Sequence, residues 1–197
     1  MTAIPQERLF LGVRRKSWTL QDYHDMIKAG ILTELDRVEL IFGQIIEMSP
    51  VGQVHALTTK KINKNFQRRF IEEDYVIGVQ DPVQLVDNSE PEPDVSVAKG
   101  PLNRYLNNHP RPEDIYLLIE VSESTLDYDL LTKQQNYATA GVAEYWVIDA
   151  FNRQVYQFLE PNQETKKYEV ENIFVEGETI SSKHLGEWAV KDLLIQY

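Results

Sequence analysis

The sequence predicts a single α/β domain built on a mixed β-sheet. Residues 115–121 (IYLLIEV) and 144–150 (EYWVIDA) are almost continuously apolar, a pattern typical of strands buried on both faces. Between them, residues 127–141 combine good helix formers with a terminal glycine and with Asp127 as a candidate N-cap. A strand, a helix and a second strand in this order form a βαβ unit, which requires two parallel strands.

A helix and three short strands are predicted ahead of the βαβ unit. No glycine or proline interrupts residues 53–72, whose apolar side chains recur at helical spacing. Residues 75–80, 83–88 and 93–98 are the three strand candidates, with turn residues between them. Together these segments complete the predicted core of the fold.

Shorter elements flank this core. Residues 1–18 are expected to form an N-terminal arm, and residues 19–197 to form the domain. The domain begins with a helix capped by Thr19 and continues into a hairpin that turns at Gly43. Three alternating segments after residue 150 predict short antiparallel strands at the C-terminus.

Composition restricts the classes of function. The chain has no cysteine, which excludes disulfides, thiol nucleophiles and zinc–thiolate sites and favours a reducing compartment. No apolar run approaches the roughly 20 residues of a membrane span, so a soluble cytoplasmic protein is expected. A net charge of −11 argues against tight non-specific binding to nucleic acid, but it leaves room for a cation site and for a local basic face.

One such basic face lies on the long predicted helix. Lys60, Lys64 and Arg68 recur at a spacing of four residues and therefore form one stripe. The stripe is either a solvated face or a surface that attracts phosphates, and the spacing does not decide between the two.

Two acids occupy positions that strand propensity does not favour. Asp94 follows a proline at the start of a strand, where Asp is among the least tolerated residues. Glu120 is the only charged residue in a strand whose other residues are predicted to lie in the core. An ionised carboxylate is costly to bury without a partner, so each acid requires a cation, a set of hydrogen bonds or an exposed strand end. Glu90 and Glu92, which precede Asp94, are expected to be solvated loop acids.

Lys133 is the third unexpected residue. It lies three residues after Leu130 and four before Tyr137, on the helix face that should pack against the sheet. From there its ammonium group would reach the C-terminal ends of the parallel strands, where open α/β sheets hold their sites. Two carboxylates and an ammonium can hold Mg²⁺, activate water and stabilise charge on a phosphate. Spacing alone is equally compatible with a structural salt bridge.

A family resemblance favours the catalytic interpretation. The strings EPEPDVSV and LLIEVSESTLDYDLLTKQQNYATAGVAEYWVID resemble the Uma-type (Uma-two) family of restriction endonucleases, formerly a domain of unknown function, within the PD-(D/E)XK nuclease superfamily. The resemblance covers roughly residues 19–195. It implies a restriction-endonuclease-like core ordered as helix, three strands, strand, helix and strand.

The resemblance also assigns roles. It implies that Asp94 and Glu120 bind Mg²⁺ or Mn²⁺, with Lys133 positioning water or stabilising the phosphate. In the usual motif a lysine stands two residues after the second acid, but that position is Ser122 here. Members of the family take the lysine from the following helix, which indicates Lys133.

Four further residues are supporting candidates. Glu39 resembles an additional metal-binding acid, although an exposed hairpin acid is the alternative. His55 is expected to act as a general base, to bind the metal, or only to make a structural hydrogen bond at the start of its helix. Asp129 orients Lys133 or begins the helix, and Gln80 contributes its amide to the site.

The expected activity is metal-dependent hydrolysis of phosphodiester bonds. DNA is the expected substrate and a homodimer the expected assembly, because many nucleases of this fold cut duplexes as two-fold dimers. The alternative is a catalytically idle nuclease-fold domain that acts as a binding or regulatory module. The acidic charge balance and the serine at position 122 favour that alternative.

Overall fold

The fold is organised around a six-stranded mixed sheet. The computed structural model describes residues 16–33, 35–70 and 73–195. The strand order is β3-β4-β5-β6-β7-β8. These strands are β3 (Tyr75–Gly78), β4 (Val95–Lys99), β5 (Ile115–Ser122), β6 (Glu144–Asp149), β7 (Gln154–Asn162) and β8 (Lys167–Val175). The predicted α/β class is confirmed.

The predicted βαβ unit forms the centre of this sheet. Strands β5 and β6 are parallel, with Glu120 aligned to Val147, whereas every other neighbouring pair is antiparallel. The connection consists of α3 (Leu126–Tyr128), a π-helical turn (Asp129–Lys133) and α4 (Gln134–Ala140), which we call the crossover helix. It ends at Gly141, whose φ of +80° satisfies the left-handed terminal position that favours glycine.

The two faces of the sheet are covered by different elements. One face packs against α2 (Gln53–Arg69), α5 (Val190–Leu193) and the hairpin of β9 (Thr179–Ser182) and β10 (Gly186–Ala189). The other face packs against the crossover helix. Alternation along β5 directs Leu117, Ile119 and Val121 towards the first face and Leu118 towards the second. Glu120 therefore lies beneath the crossover helix.

The N-terminal elements match their predictions. Helix α1 (Leu20–Lys28) begins with a capping box in which Thr19 and Asp22 exchange hydrogen bonds. Strands β1 (Val38–Ile41) and β2 (Gln44–Glu47) form the predicted hairpin around Gly43, whose φ is +71°. Most of the predicted arm, residues 1–15, lies outside the described residues. No helix in the described part of the chain has the length and apolar composition needed to cross a membrane.

Two local predictions are wrong. Residues 83–88 are not a strand of the sheet, because the chain reverses at Asp87 and Asn88, both left-handed, and Leu85 bonds back to Ser89. Asp127 is not the N-cap of the crossover helix. That position is held by Thr125, and Asp127 is an exposed residue of the first turn.

Candidate active site

All seven residues singled out by the sequence line one cleft of about 700 Å³. The cleft lies at the C-terminal end of β5, between the β1–β2 hairpin, the start of α2 and the crossover helix. The seven lining residues are Glu39, His55, Gln80, Asp94, Glu120, Asp129 and Lys133.

Lys133 and Glu120 form a buried ion pair at the centre of the cleft. The Lys133 Nζ atom lies 3.1 Å from Glu120 Oε1, and both residues are more than nine-tenths buried. The Tyr137 hydroxyl donates a second hydrogen bond, of 2.6 Å, to the same Glu120 oxygen. Lys133 and Tyr137 lie four residues apart, so the face of the crossover helix predicted from spacing does point at Glu120.

Glu39 is the second partner of Lys133. Their contact, from Lys133 Nζ to Glu39 Oε2, measures 2.6 Å. Glu39 is 3% exposed, and it also accepts hydrogen bonds from the Glu92 amide at 3.2 Å and the Tyr128 hydroxyl at 3.4 Å. The alternative of an exposed hairpin acid is therefore wrong, since the hairpin folds this side chain inwards.

Asp94 is joined to Glu120 through the backbone. Its Oδ2 atom accepts a hydrogen bond of 2.8 Å from the Val121 amide, and its own amide lies 3.4 Å from Glu120 Oε2. Val95 and Val97 pack into the core on the α2 face, which directs the Asp94 side chain to the same side of the sheet as Glu120. Asp94, directly before β4, and Glu120 of β5 thus lie side by side on one face of the sheet.

His55 and Gln80 hold the Asp94 carboxylate from outside the sheet. His55 Nε2 lies 2.8 Å from Asp94 Oδ2, and the Gln80 side-chain amide donates a hydrogen bond of 3.2 Å to Asp94 Oδ1. Burial lowers the pKa of His55, but the hydrogen bond and charge of Asp94 outweigh it and raise that pKa above its ordinary value. The His55 Nδ1 atom is buried and has no hydrogen-bond partner among the described residues.

The hydrogen bonds of Asp129 explain why a serine occupies position 122. The Asp129 Oδ2 atom accepts hydrogen bonds from the Ser122 hydroxyl at 2.5 Å and the Thr125 hydroxyl at 2.8 Å. Ser122 thereby anchors the start of the crossover helix, in the position where the usual motif has its lysine. Burial raises the pKa of Asp129, although both hydroxyl donors oppose the shift.

Negative charge exceeds positive charge in this cluster. Among the described residues, Glu39 and Glu120 both contact the Lys133 ammonium, and Asp94 lies against Glu120. Burial raises the pKa of Glu120 to about 8, since Lys133 only partly offsets burial and the charges of the neighbouring acids. For Lys133, burial lowers the pKa, but Glu120 and Glu39 outweigh it and keep the ammonium protonated.

The sequence did not predict the environment of two nearby acids. Glu90 is 5% exposed and accepts a hydrogen bond from His24 at 2.8 Å, while Glu92 is half-buried beside the cleft, so neither is a solvated loop acid. Burial and the charge of Glu39 raise the pKa of Glu92. Their alternation with two buried prolines, at Pro91 and Pro93, is the signal that could have indicated their burial.

The donor set suits a hard divalent cation. Among the described residues, Asp94 Oδ1 accepts a hydrogen bond only from the Gln80 side-chain amide. Glu120 Oε2 accepts one only from the Asp94 backbone amide, at 3.4 Å. Both oxygens therefore retain free lone pairs. The described residues contain no group of three or more His, Asp or Glu side chains arranged around a metal position. Mg²⁺ is commonly bound by one or two carboxylates and several waters, so these two oxygens fit it.

The fold is that of a restriction-endonuclease-like nuclease. A family model described as "Putative restriction endonuclease" (Uma2) matches residues 20–193, and the chain belongs to this family. A solved structure of similar fold is that of a "putative nuclease belonging to DUF820" from Anabaena variabilis ATCC 29413. The two chains share 16% identity with a TM-score of 0.65, over 89% of this chain and 96% of the other. A search of curated proteins found no match.

Proposed function

We propose that the protein is a divalent-metal-dependent nuclease that hydrolyses phosphodiester bonds. One observation carries the proposal: Lys133, supplied by the crossover helix, lies 3.1 Å from Glu120, which is itself bonded to the Asp94 amide. Two acids, one directly before β4 and one on β5, and a lysine therefore meet in one cleft, although a serine occupies the position of the lysine in the usual motif.

Asp94 and Glu120 are the proposed ligands of Mg²⁺ or Mn²⁺. His55 and the Val121 amide fix one oxygen of Asp94, and Tyr137 fixes one oxygen of Glu120, so the remaining oxygens are oriented by the protein. When bound, the metal would lower the pKa of a water ligand and neutralise charge on the phosphate. Its positive charge would also favour the ionised form of Glu120.

Lys133 is proposed to act as a fixed cation. Because its pKa is raised, it remains protonated at neutral pH and does not act as a general base. It donates hydrogen bonds, to an attacking water or to a non-bridging phosphate oxygen, and stabilises the charge that develops there. Glu39 is proposed to hold the ammonium in place, and its participation as a third metal ligand remains a separate prediction.

DNA is the proposed substrate, and a two-fold dimer is the proposed assembly. The description of the family as restriction endonucleases supports DNA, and double-strand cleavage by this fold supports a dimer. We also propose a cytoplasmic location, which the absence of cysteine supports.

Cleavage assays on purified protein test the proposal. Plasmid DNA and a single-stranded RNA are incubated with Mg²⁺, Mn²⁺ or EDTA and with the wild type, Asp94→Asn or Asp127→Asn. Asp127 is the matched control, because it is an exposed acid of the same cleft and has no hydrogen bond to the acid pair among the described residues. We expect metal-dependent cleavage of DNA that Asp94→Asn reduces by at least roughly a hundredfold and Asp127→Asn leaves unchanged. Equal cleavage by wild type and Asp94→Asn contradicts the mechanism.

Calorimetric titration with Mn²⁺ distinguishes the nuclease from a catalytically idle module. The proposal expects one saturable binding event per chain, lost in Glu120→Gln and retained in Asp127→Asn. An idle domain would show no such event.

A further inference from the structure

A second cavity opens beside the cleft, on the side of helix α1. This side chamber has a volume of about 380 Å³, and its boundary with the cleft is formed by four residues that line both spaces. These residues are Arg37, Met48, Gln80 and Glu92. The cleft and the side chamber are therefore adjacent spaces that share these four side chains as a common boundary.

The walls of the side chamber are mainly apolar. Tyr23, Ile27, Leu32 and Val38 line it. Tyr23 is buried and donates a hydrogen bond of 3.0 Å to the Val38 carbonyl, which fixes its ring in the wall. Apolar and aromatic walls with a few polar groups are typical of small-molecule pockets of this volume.

Apart from Thr33, whose hydroxyl donates to Asp36, the polar side chains among the described lining residues lie at the boundary with the cleft. Glu92 presents a carboxylate that accepts N–H groups, and Gln80 presents a carboxamide that both donates and accepts. Gln80 also donates to Asp94 and has a φ of +54°, an uncommon conformation for a residue other than glycine. The boundary is therefore connected to the proposed metal-binding acid through a single side chain.

Arg37 adds a cation between the two spaces. Its side chain is exposed and has no hydrogen bond or ion pair with any other described residue. Guanidinium groups suit phosphate oxygens because they donate two parallel hydrogen bonds. The side chamber therefore combines an apolar wall with an N–H acceptor and a guanidinium, and the last two also line the cleft that holds the proposed catalytic acids.

We propose that the side chamber binds one unstacked nucleobase of the substrate strand, with Arg37 on the phosphate next to the scissile one. This inference rests on the proposed nuclease function and extends it to the substrate class. The base packs against Tyr23 and Ile27 and donates N–H groups to Glu92. The preferred substrate is then single-stranded nucleic acid or a duplex in which one nucleotide leaves the stack.

An abasic scan tests the chamber directly. A fluorescein-labelled single-stranded DNA of twelve nucleotides is prepared with the base removed at each position in turn, and its affinity is measured by anisotropy in EDTA, where no cleavage occurs. Removal of the base at one position should weaken binding to the wild type roughly tenfold, which is the contribution of one stacked base to affinity. Ile27→Trp fills the chamber from its rim, where the 46% exposure of Ile27 allows the change without disturbing the core. This variant should bind every oligonucleotide weakly and show no dependence on that position.

The matched control is Ile31→Trp, since Ile31 is 66% exposed, lies just beyond α1 and does not line the chamber. It should reproduce the wild-type scan, and thermal melting should show that both variants fold. A flat scan in the wild type, or the same scan in wild type and Ile27→Trp, overturns the proposal.

Hydrolysis of bis(p-nitrophenyl) phosphate separates this proposal from the nuclease itself. This phosphodiester has no nucleobase, so Ile27→Trp should retain its kcat/KM on it while losing at least roughly tenfold on the oligonucleotide. Asp94→Asn should lose activity on both substrates. If wild type and Asp94→Asn behave alike on both, the proposed nuclease fails, and the abasic scan in EDTA still decides the chamber.

Discussion

Lys133 donates a hydrogen bond of 2.6 Å to Glu39, a residue 94 positions earlier in the chain. This contact joins the crossover helix to the β1–β2 hairpin and fixes the ammonium 3.1 Å from Glu120. The position of the lysine therefore depends on two elements distant in sequence. A lysine two residues after the acid, as in the usual motif, would not require the hairpin.

Removal of the Lys133 charge should destabilise the protein most at high pH. Lys133→Met leaves Glu39 and Glu120 buried without their cation, a change that typically costs about 3–5 kcal/mol. The pKa of Glu120 is raised by burial to about 8, so this acid is protonated at pH 5 and the loss should shrink on going from pH 8 to pH 5. Urea denaturation at both pH values measures it, with the exposed Lys60→Met as control. Equal stability of Lys133→Met and wild type at pH 8 would show that the ion network is dispensable.

Glu120 should give the metal-free protein an unusual dependence of stability on pH. Its pKa is raised by burial from an ordinary 4.5 to about 8. The folded state then binds more protons than the unfolded state between these values, so the free energy of unfolding falls as pH rises from about 4.5 to 8. Glu120→Gln should be more stable than wild type at pH 8, and the difference should vanish towards pH 4.5. Denaturation in EDTA across this window measures it, and parallel stability curves for the two proteins would refute the shift.

The His55–Asp94 pair should be visible by NMR. The pKa of His55 is raised by Asp94 in spite of burial. In Asp94→Asn only burial and more distant charges remain, so the His55 imidazole should titrate at lower pH than in the wild type. His109, which is exposed and does not line the cleft, serves as the internal reference. An unchanged His55 titration would mean that the contact is absent in solution.

Glu39→Gln distinguishes a positioning role from a metal-ligand role. If Glu39 only holds Lys133, the variant should bind Mn²⁺ within about twofold of the wild type while kcat falls roughly tenfold or more. A third ligand would instead make Glu39→Gln lose Mn²⁺ affinity as severely as Glu120→Gln. Calorimetry and single-turnover cleavage on the same preparations supply both measurements.

The central part of the fold could be predicted because its pattern is local. Continuous apolar runs mark β5 and β6, and the glycine at position 141 marks the end of the helix between them. Asp94, Glu120 and Lys133 could be identified as site candidates for the same reason, because each is a charged residue where the local pattern of its strand or helix does not favour one.

Contacts that depend on distant elements could not be predicted. Spacing along the hairpin does not show that Glu39 turns inwards, because the cause is Lys133 on the crossover helix. Residues 83–88 have the composition of a strand, but the left-handed Asp87 and Asn88 reverse the chain within them. The burial of Glu90 depends on His24 of α1, 66 positions away.

Diffraction from a crystal soaked in Mn²⁺, at the manganese absorption edge, tests the proposed site most directly. The expected result is an anomalous peak within about 2.5 Å of carboxylate oxygens of both Asp94 and Glu120, with Lys133 directed at its water shell. Crystals of Asp94→Asn should lose the peak. Fully occupied manganese elsewhere, with none between these two acids, would contradict the assignment of Asp94 and Glu120 as the metal ligands.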